Sequence, residues 1–117
     1  MITKKKQRNF NRKKPDPARM PAPTMATVTS VTASGSTQVT IVFAEAVQIA
    51  PDNLPATWLF GTGNHAITAL VSATPTTYVF TVAGTVATTQ AYTIPGMDPA
   101  ARTSMGGYVA GKTGTLV

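Results

Sequence analysis

From residue 27 to residue 117 the chain repeats one pattern: short runs in which Thr, Ala or Ser alternate with Val, Ile, Phe or Tyr, each closed by Gly, Pro or Asn. Alternation with period two puts one set of side chains on each face of an extended strand, and branching at Cβ suits the pleated surface better than a helix. "VTSVTA" (28–33) reads as a first strand closed by "SGS" (34–36), and "TQVTIVFAEAV" places Val39, Ile41 and Phe43 on one face with Thr40 and Val42 on the other. "APDNLP" is a loop or short helical turn; "ATWLFG" (56–61) follows as a third strand and "GTGN" as a hairpin turn. "HAITALVSA" (65–73) is a fourth strand, "TPT" a turn, and "TYVFTVAG" (77–84) a fifth with Tyr78, Phe80 and Val82 aligned. "QAYTIPG" (90–96) is a sixth, "MDPAARTSMGG" a long loop, and "YVAGKTGTLV" (108–117) a seventh.

No segment holds helical periodicity beyond about two turns. Short strands spaced about ten residues apart with turn chemistry between them predict an all-β fold, an immunoglobulin-like β-sandwich of about seven strands, with a small barrel as the competing closure. Phe43, Trp58, Phe60, Tyr78, Phe80 and Tyr92 are the expected packing residues between the sheets. The sequence contains no cysteine, so no disulfide framework supports the fold and stability must come from packing.

The front of the chain is of another kind. Eight of the ten Lys and Arg residues fall in the first nineteen positions, against Asp16 alone, whereas the rest holds Arg102 and Lys112 against Glu45, Asp52 and Asp98. The net charge of +6 is therefore a property of the arm. Pro15, Pro17, Pro21 and Pro23 stiffen the segment that follows the charge run. The expected organisation is an extended basic, Pro-rich arm over residues 1–25 and a β-sandwich over residues 26–117. Fully extended, the arm reaches roughly 80 Å, enough to contact neighbours in a lattice. Ile2, Phe10 and Met20 are too sparse to form an apolar helical stripe, so no membrane contact is expected. The charged start leads into "PDPARMPAPT" rather than an apolar run, so synthesis in a host cytoplasm without a secretory signal is the expectation.

The body offers little chemistry. His65 is the sole histidine, expected at an exposed strand end, and with no cysteine there is no basis for a transition-metal site. Glu45, Asp52 and Asp98 are spread through the chain and read as solvated loop or strand acids rather than an acid–base pair, with a calcium site built from two of them and loop carbonyls as the alternative. No Ser stands in a nucleophile elbow, and "GTGNHA" lacks the third glycine and the helix of a phosphate-binding turn. The expectation is no catalytic residue, no metal, no cofactor and no small-molecule substrate. The candidate contacts are Lys4, Lys5, Lys6, Arg8, Phe10, Arg12, Lys13, Lys14 and Arg19 in the arm, with Arg102 and Met105 as exposed residues of the long loop.

"SVTASGSTQVTIVFAEAV", a Trp-bearing strand, "TYVFTVAGTV" and "AYTIPGMDPAARTSMGG" together resemble the bacterial Ig-like domains of the surface-layer and adhesin type, over residues 27–117. Phe43 and Glu45 stand in that family's typical Phe and Glu places, and Asp98 in that of its late Asp; "RTSMGG" replaces the usual Gly-Asn, lengthening the late loop. The resemblance implies a structural or adhesive module rather than an enzyme, of a kind also found on phage virions. The function expected from the whole sequence is a virion structural protein, such as a capsid decoration, cement or minor capsid protein, anchored to capsid or other virion subunits through the arm. The alternatives are a packaging or assembly protein that places the arm on nucleic acid, and an adhesive module of a phage tail or surface.

Overall fold

The computed structural model describes residues 25–117, which form nine β-strands and, among the described residues, no helix. The strands are β1 (Val28–Gly35), β2 (Gln38–Phe43), β3 (Val47–Gln48), β4 (Leu59–Phe60), β5 (His65–Ala73), β6 (Thr77–Val82), β7 (Ala91–Ile94), β8 (Arg102–Thr103) and β9 (Lys112–Thr115). Seven of them make one sheet in the order β1-β2-β6-β5-β4-β7-β9, and β3 pairs with β8. The expected all-β, seven-stranded immunoglobulin-like arrangement is what the chain adopts.

The sandwich is one sheet folded over. β1, β2 and β6 pair along their length with the far part of β5, whereas β4, paired with His65 and Ala66 at the start of β5, leads into β7 and β9. β5 therefore turns the corner, and its register against β6 slips twice, between Ile67 and Ala69 and between Leu70 and Ser72. Extra residues of this kind bend a strand and allow it to pass from one layer to the other. The ring then closes: Val117, just past β9, donates its N–H to Val31 O at 3.1 Å and accepts from Ala33 N at 3.0 Å. Bonds to residues on either side of Thr32 are the signature of parallel pairing, so six antiparallel joints are completed by one parallel joint.

The period-two residues go where the sequence puts them. Val39, Ile41 and Phe43 of β2 and Tyr78, Phe80 and Val82 of β6 are buried, with half-buried residues between them. Phe43, Trp58, Tyr78 and Phe80 form a chain of ring contacts with centroids 5.8 to 6.5 Å apart, two of the four edge-on. The Trp58 indole N–H is buried without an acceptor among the described residues, so the position is held by the packing of the ring. Tyr92 is buried as well, and desolvation pushes its phenol above the ordinary value.

Several boundaries differ from the sequence reading. The third strand shrinks from 56–61 to Leu59–Phe60 because Pro55 and Trp58 are committed to the core ahead of it. Residues 108–117 are not one strand: 108–110 bridge to Ala26 and Arg102, and β9 starts only at Lys112. The break lies at Gly111, which crosses Gly96 at backbone contact. A Cβ on Gly111 would stand 2.9 Å from Gly96 N and 3.2 Å from Ile94 O, backbone atoms that cannot rotate away. We expect Gly111→Ala to cost about 1–3 kcal/mol. Gly35→Ala, whose added carbon would meet only Gln38 at 3.5 Å, should shift the urea midpoint little.

Candidate protein-docking surface

The strand registers sort the connections into two ends. The turns at 36–37 and 61–64 and the loop 83–90 lie at one end; residues 25–27, the loop 44–58, the turn 74–76 and the segment 95–111 lie at the other. The arm therefore joins the domain at the end that carries the long loop.

There the chain builds a small face of four adjacent segments. Gln48 pairs with Arg102, Arg102 with Tyr108, and Ala26 runs parallel to Val109. Ala26 N donates to Tyr108 O at 3.0 Å and Ala110 N to Ala26 O at 2.8 Å, so Met25 stands beside Tyr108. Val47, Thr103, Val109 and Ala26 point into the core, leaving Gln48, Arg102, Tyr108 and Met25 in a row on the outside. The pattern follows from the side-chain alternation of extended backbone.

Arg102 was expected to be an exposed loop residue; it is half-buried and fixed. Its guanidinium carbon lies 4.2 Å from the centre of the Tyr108 ring, and Nη2 donates to Gly106 O at 2.7 Å. Its Nε is buried without an acceptor among the described residues. The reason is β8, a two-residue strand inside what the sequence presents as a loop. Met105, by contrast, is 78% exposed, as expected for the loop tip. Of the five large apolar side chains left exposed among the described residues, Met25, Met97 and Met105 all lie at this end. Met97 also holds a left-handed backbone, φ 67°, while its N–H donates to Val109 O at 3.0 Å. A non-glycine residue costs about 1–2 kcal/mol there.

Two of the three carboxylates hold backbone in place, Asp98 from a buried position and Glu45 from an exposed one. Asp98 is buried, not solvated: Oδ2 accepts from Thr57 Oγ1 at 2.6 Å and Thr57 N at 3.4 Å, and Oδ1 from Ala100 N at 2.9 Å. Glu45 lies past the end of β2 and accepts from Thr27 N at 2.9 Å, tying down the point where the arm enters. Asp52 is exposed. His65, expected to be exposed, is half-buried between two glycines, where a Cβ on Gly63 or Gly84 would collide with its ring. Among the described residues no group of three or more His, Asp or Glu is placed to hold a metal ion. The arm residues Lys4, Lys5, Lys6, Arg8, Phe10, Arg12, Lys13, Lys14 and Arg19 lie outside the described residues. Sequence reasoning missed Gln48, Tyr108 and Met25 as members of a common face, since only long-range pairing brings them together.

No protein-family model matches the sequence, and no curated protein matches it. Solved structures do. The chain is similar to the N-terminal part of the bacterial S-layer protein SbsC, with a TM-score of 0.59 and 21% identity over 80% of this chain and 24% of that one. It is likewise similar to domains 1-6 of surface layer protein SbsC, with a TM-score of 0.60 and 20% identity over 80% of this chain and 13% of that one. The chain thus spans a quarter or less of the S-layer chains it matches. At this identity the likeness establishes a shared fold.

Proposed function

We propose that the chain is a non-catalytic structural module of a surface or shell assembly, with its β-domain standing on or between neighbouring subunits and its basic arm as the tether. In its most specific form this is a phage virion component, a capsid decoration, cement or minor capsid protein. The observation that carries the reading is the convergence at one end of the domain. The arm, with eight of the chain's ten Lys and Arg residues, joins at Met25 beside an exposed methionine loop and a fixed Arg–Tyr pair. A fold shared with surface-layer proteins agrees with a structural role. Many weak contacts repeated around a symmetric assembly add up to firm attachment through effective concentration.

The test is deletion of residues 1–20. The domain should remain folded with an unchanged thermal midpoint, while the fraction that co-sediments with virions or other large assemblies from the native source falls by about tenfold or more. Normal incorporation of the shortened protein would defeat the tether. Recovery of the intact protein on genome rather than on protein subunits would favour the packaging alternative.

A further inference from the structure

We propose that the free edge of β5, residues 67–73, pairs with the same edge of a second copy of this chain, antiparallel and about a two-fold axis near Leu70. Neither the arm nor the loop end of the domain takes part, so this pairing stands or falls apart from the tether.

The edge exists because β5 parts early from one of its two neighbours. β4 pairs with His65 and Ala66 alone, whereas β6 pairs with β5 from Ile67 to Ala73. Among the described residues, no segment other than β6 bonds to the backbone of residues 67–73. The far margins of the sheet differ: Val117 bonds to Val31 and Ala33, drawing the edges of β1 and β9 together, and β9 carries Lys112. A row of unpaired N–H and C=O groups is a template for another strand. What usually guards such an edge is a charged side chain, above all Lys, or a Pro. Between Asp52 and Asp98 the sequence holds no Lys, Arg, Asp or Glu, and Pro75 lies past the end of β5. Thr68, Ala69, Val71, Ser72 and Ala73 are all exposed, Val71 at 51%. The two register slips bend the strand without charging it.

The same residues select the occupant. Strand addition draws its affinity from main-chain bonds and its specificity from pockets for alternate side chains. Small neutral side chains give a foreign strand little to be selected by, and a straight strand does not follow an edge bent at two points. The corresponding segment of a second copy carries the same bends, and like-charge repulsion across the pair is absent because neither edge is charged. Because both copies use the one edge, the contact is isologous and the assembly closes at two. A contact along a single strand is small, so a weak dimer is expected.

Sedimentation of the full chain at about 0.15 M salt, over roughly 1 µM to 1 mM protein, should show a monomer–dimer equilibrium with no larger species. Val71→Lys should raise the dissociation constant about tenfold or more, because it sets two like charges near the axis, and Val71→Glu should do the same. An equimolar mixture of the two variants should recover a dimer at least as strong as the wild type. Amide exchange of the intact chain should slow within residues 67–73 as its concentration rises, and in Val71→Lys it should not. Thermal melts identify any variant that has unfolded, and the concentration dependence of exchange in the intact chain then carries the test. A monomer at every concentration, a dimer of wild-type strength in both folded variants, or exchange at residues 67–73 that ignores concentration overturns the pairing and leaves the tether untouched. Species larger than a dimer, or a mixture that fails to recover it, overturn the two-fold arrangement.

Discussion

Removal of Leu116 and Val117 is expected to unfold the domain at room temperature, although the two residues belong to no assigned strand. Leu116 is fully buried, and its loss alone should cost about 2–5 kcal/mol. Four backbone bonds disappear with it: Thr89 N to Leu116 O at 2.8 Å, Leu116 N to Gln90 O at 2.8 Å, and the pair joining Val117 to Val31 and Ala33. Each contributes about 0.5–1.5 kcal/mol. Their sum is comparable to the whole stability of a small domain, about 5–15 kcal/mol. Two controls separate side chain from backbone. Val117→Ala should change the urea midpoint by less than about 0.5 kcal/mol equivalent, because the side chain is 63% exposed. Deleting Val117 alone should cost about 1–3 kcal/mol, because it opens the parallel joint. If the doubly shortened chain melts cooperatively near the wild-type temperature, the ring closure contributes nothing.

Asp98→Ala should be the most damaging change to a charged residue of the domain, about 3 kcal/mol. The carboxylate joins two loops distant in sequence: Thr57, immediately before Trp58, and Ala100, immediately before the buried Ala101. Its loss would leave the Thr57 hydroxyl and N–H and the Ala100 N–H short of their acceptor, and would free the segment that delivers the tryptophan to the core. Asp98→Asn keeps the shape and part of the accepting capacity, so about half the loss is expected. Thr57→Ala should cost less than Asp98→Ala, and the double variant should fall well short of the sum, since both remove the same bond. Trp58 is the only tryptophan, so its fluorescence reports the transition directly. A loss below about 0.5 kcal/mol in Asp98→Ala would show that water replaces the carboxylate without penalty.

The sheet was legible wherever a strand is long enough to show its period. β2 and β6 alternate for six residues each, and the buried members are those that the alternation selects. β5 was found with its bounds intact because Gly63 and Asn64 on one side and Pro75 on the other punctuate it. β3 and β8 could not be read, since two residues have no period and their pairing spans more than fifty positions. The candidate surface followed the same divide. Met105 at a glycine-flanked loop tip was legible as exposed, whereas Arg102 looked free only because β8, Tyr108 and Gly106 O cannot be foreseen from its neighbours. Asp98 and His65 looked solvated for a related reason: a polar residue in a loop gives no sign of the distant Thr57 or Gly84 that encloses it.

Parallel pairing along the outer edge of β1 also has a mechanical meaning. Ala26 is bonded to Tyr108 and Ala110 at one end of this edge, and Val31 and Ala33 to Val117 at the other. Tension entering through the arm at Met25 and leaving through Val117 pulls these side-by-side segments in opposite directions along their own axes. The four bonds are then loaded in shear and must fail together, whereas an antiparallel pair pulled from its open end fails one bond at a time. Resistance to force depends on the barrier to unfolding rather than on equilibrium stability. A domain loaded between Met25 and Val117 can thus bear a force that its modest core would not suggest.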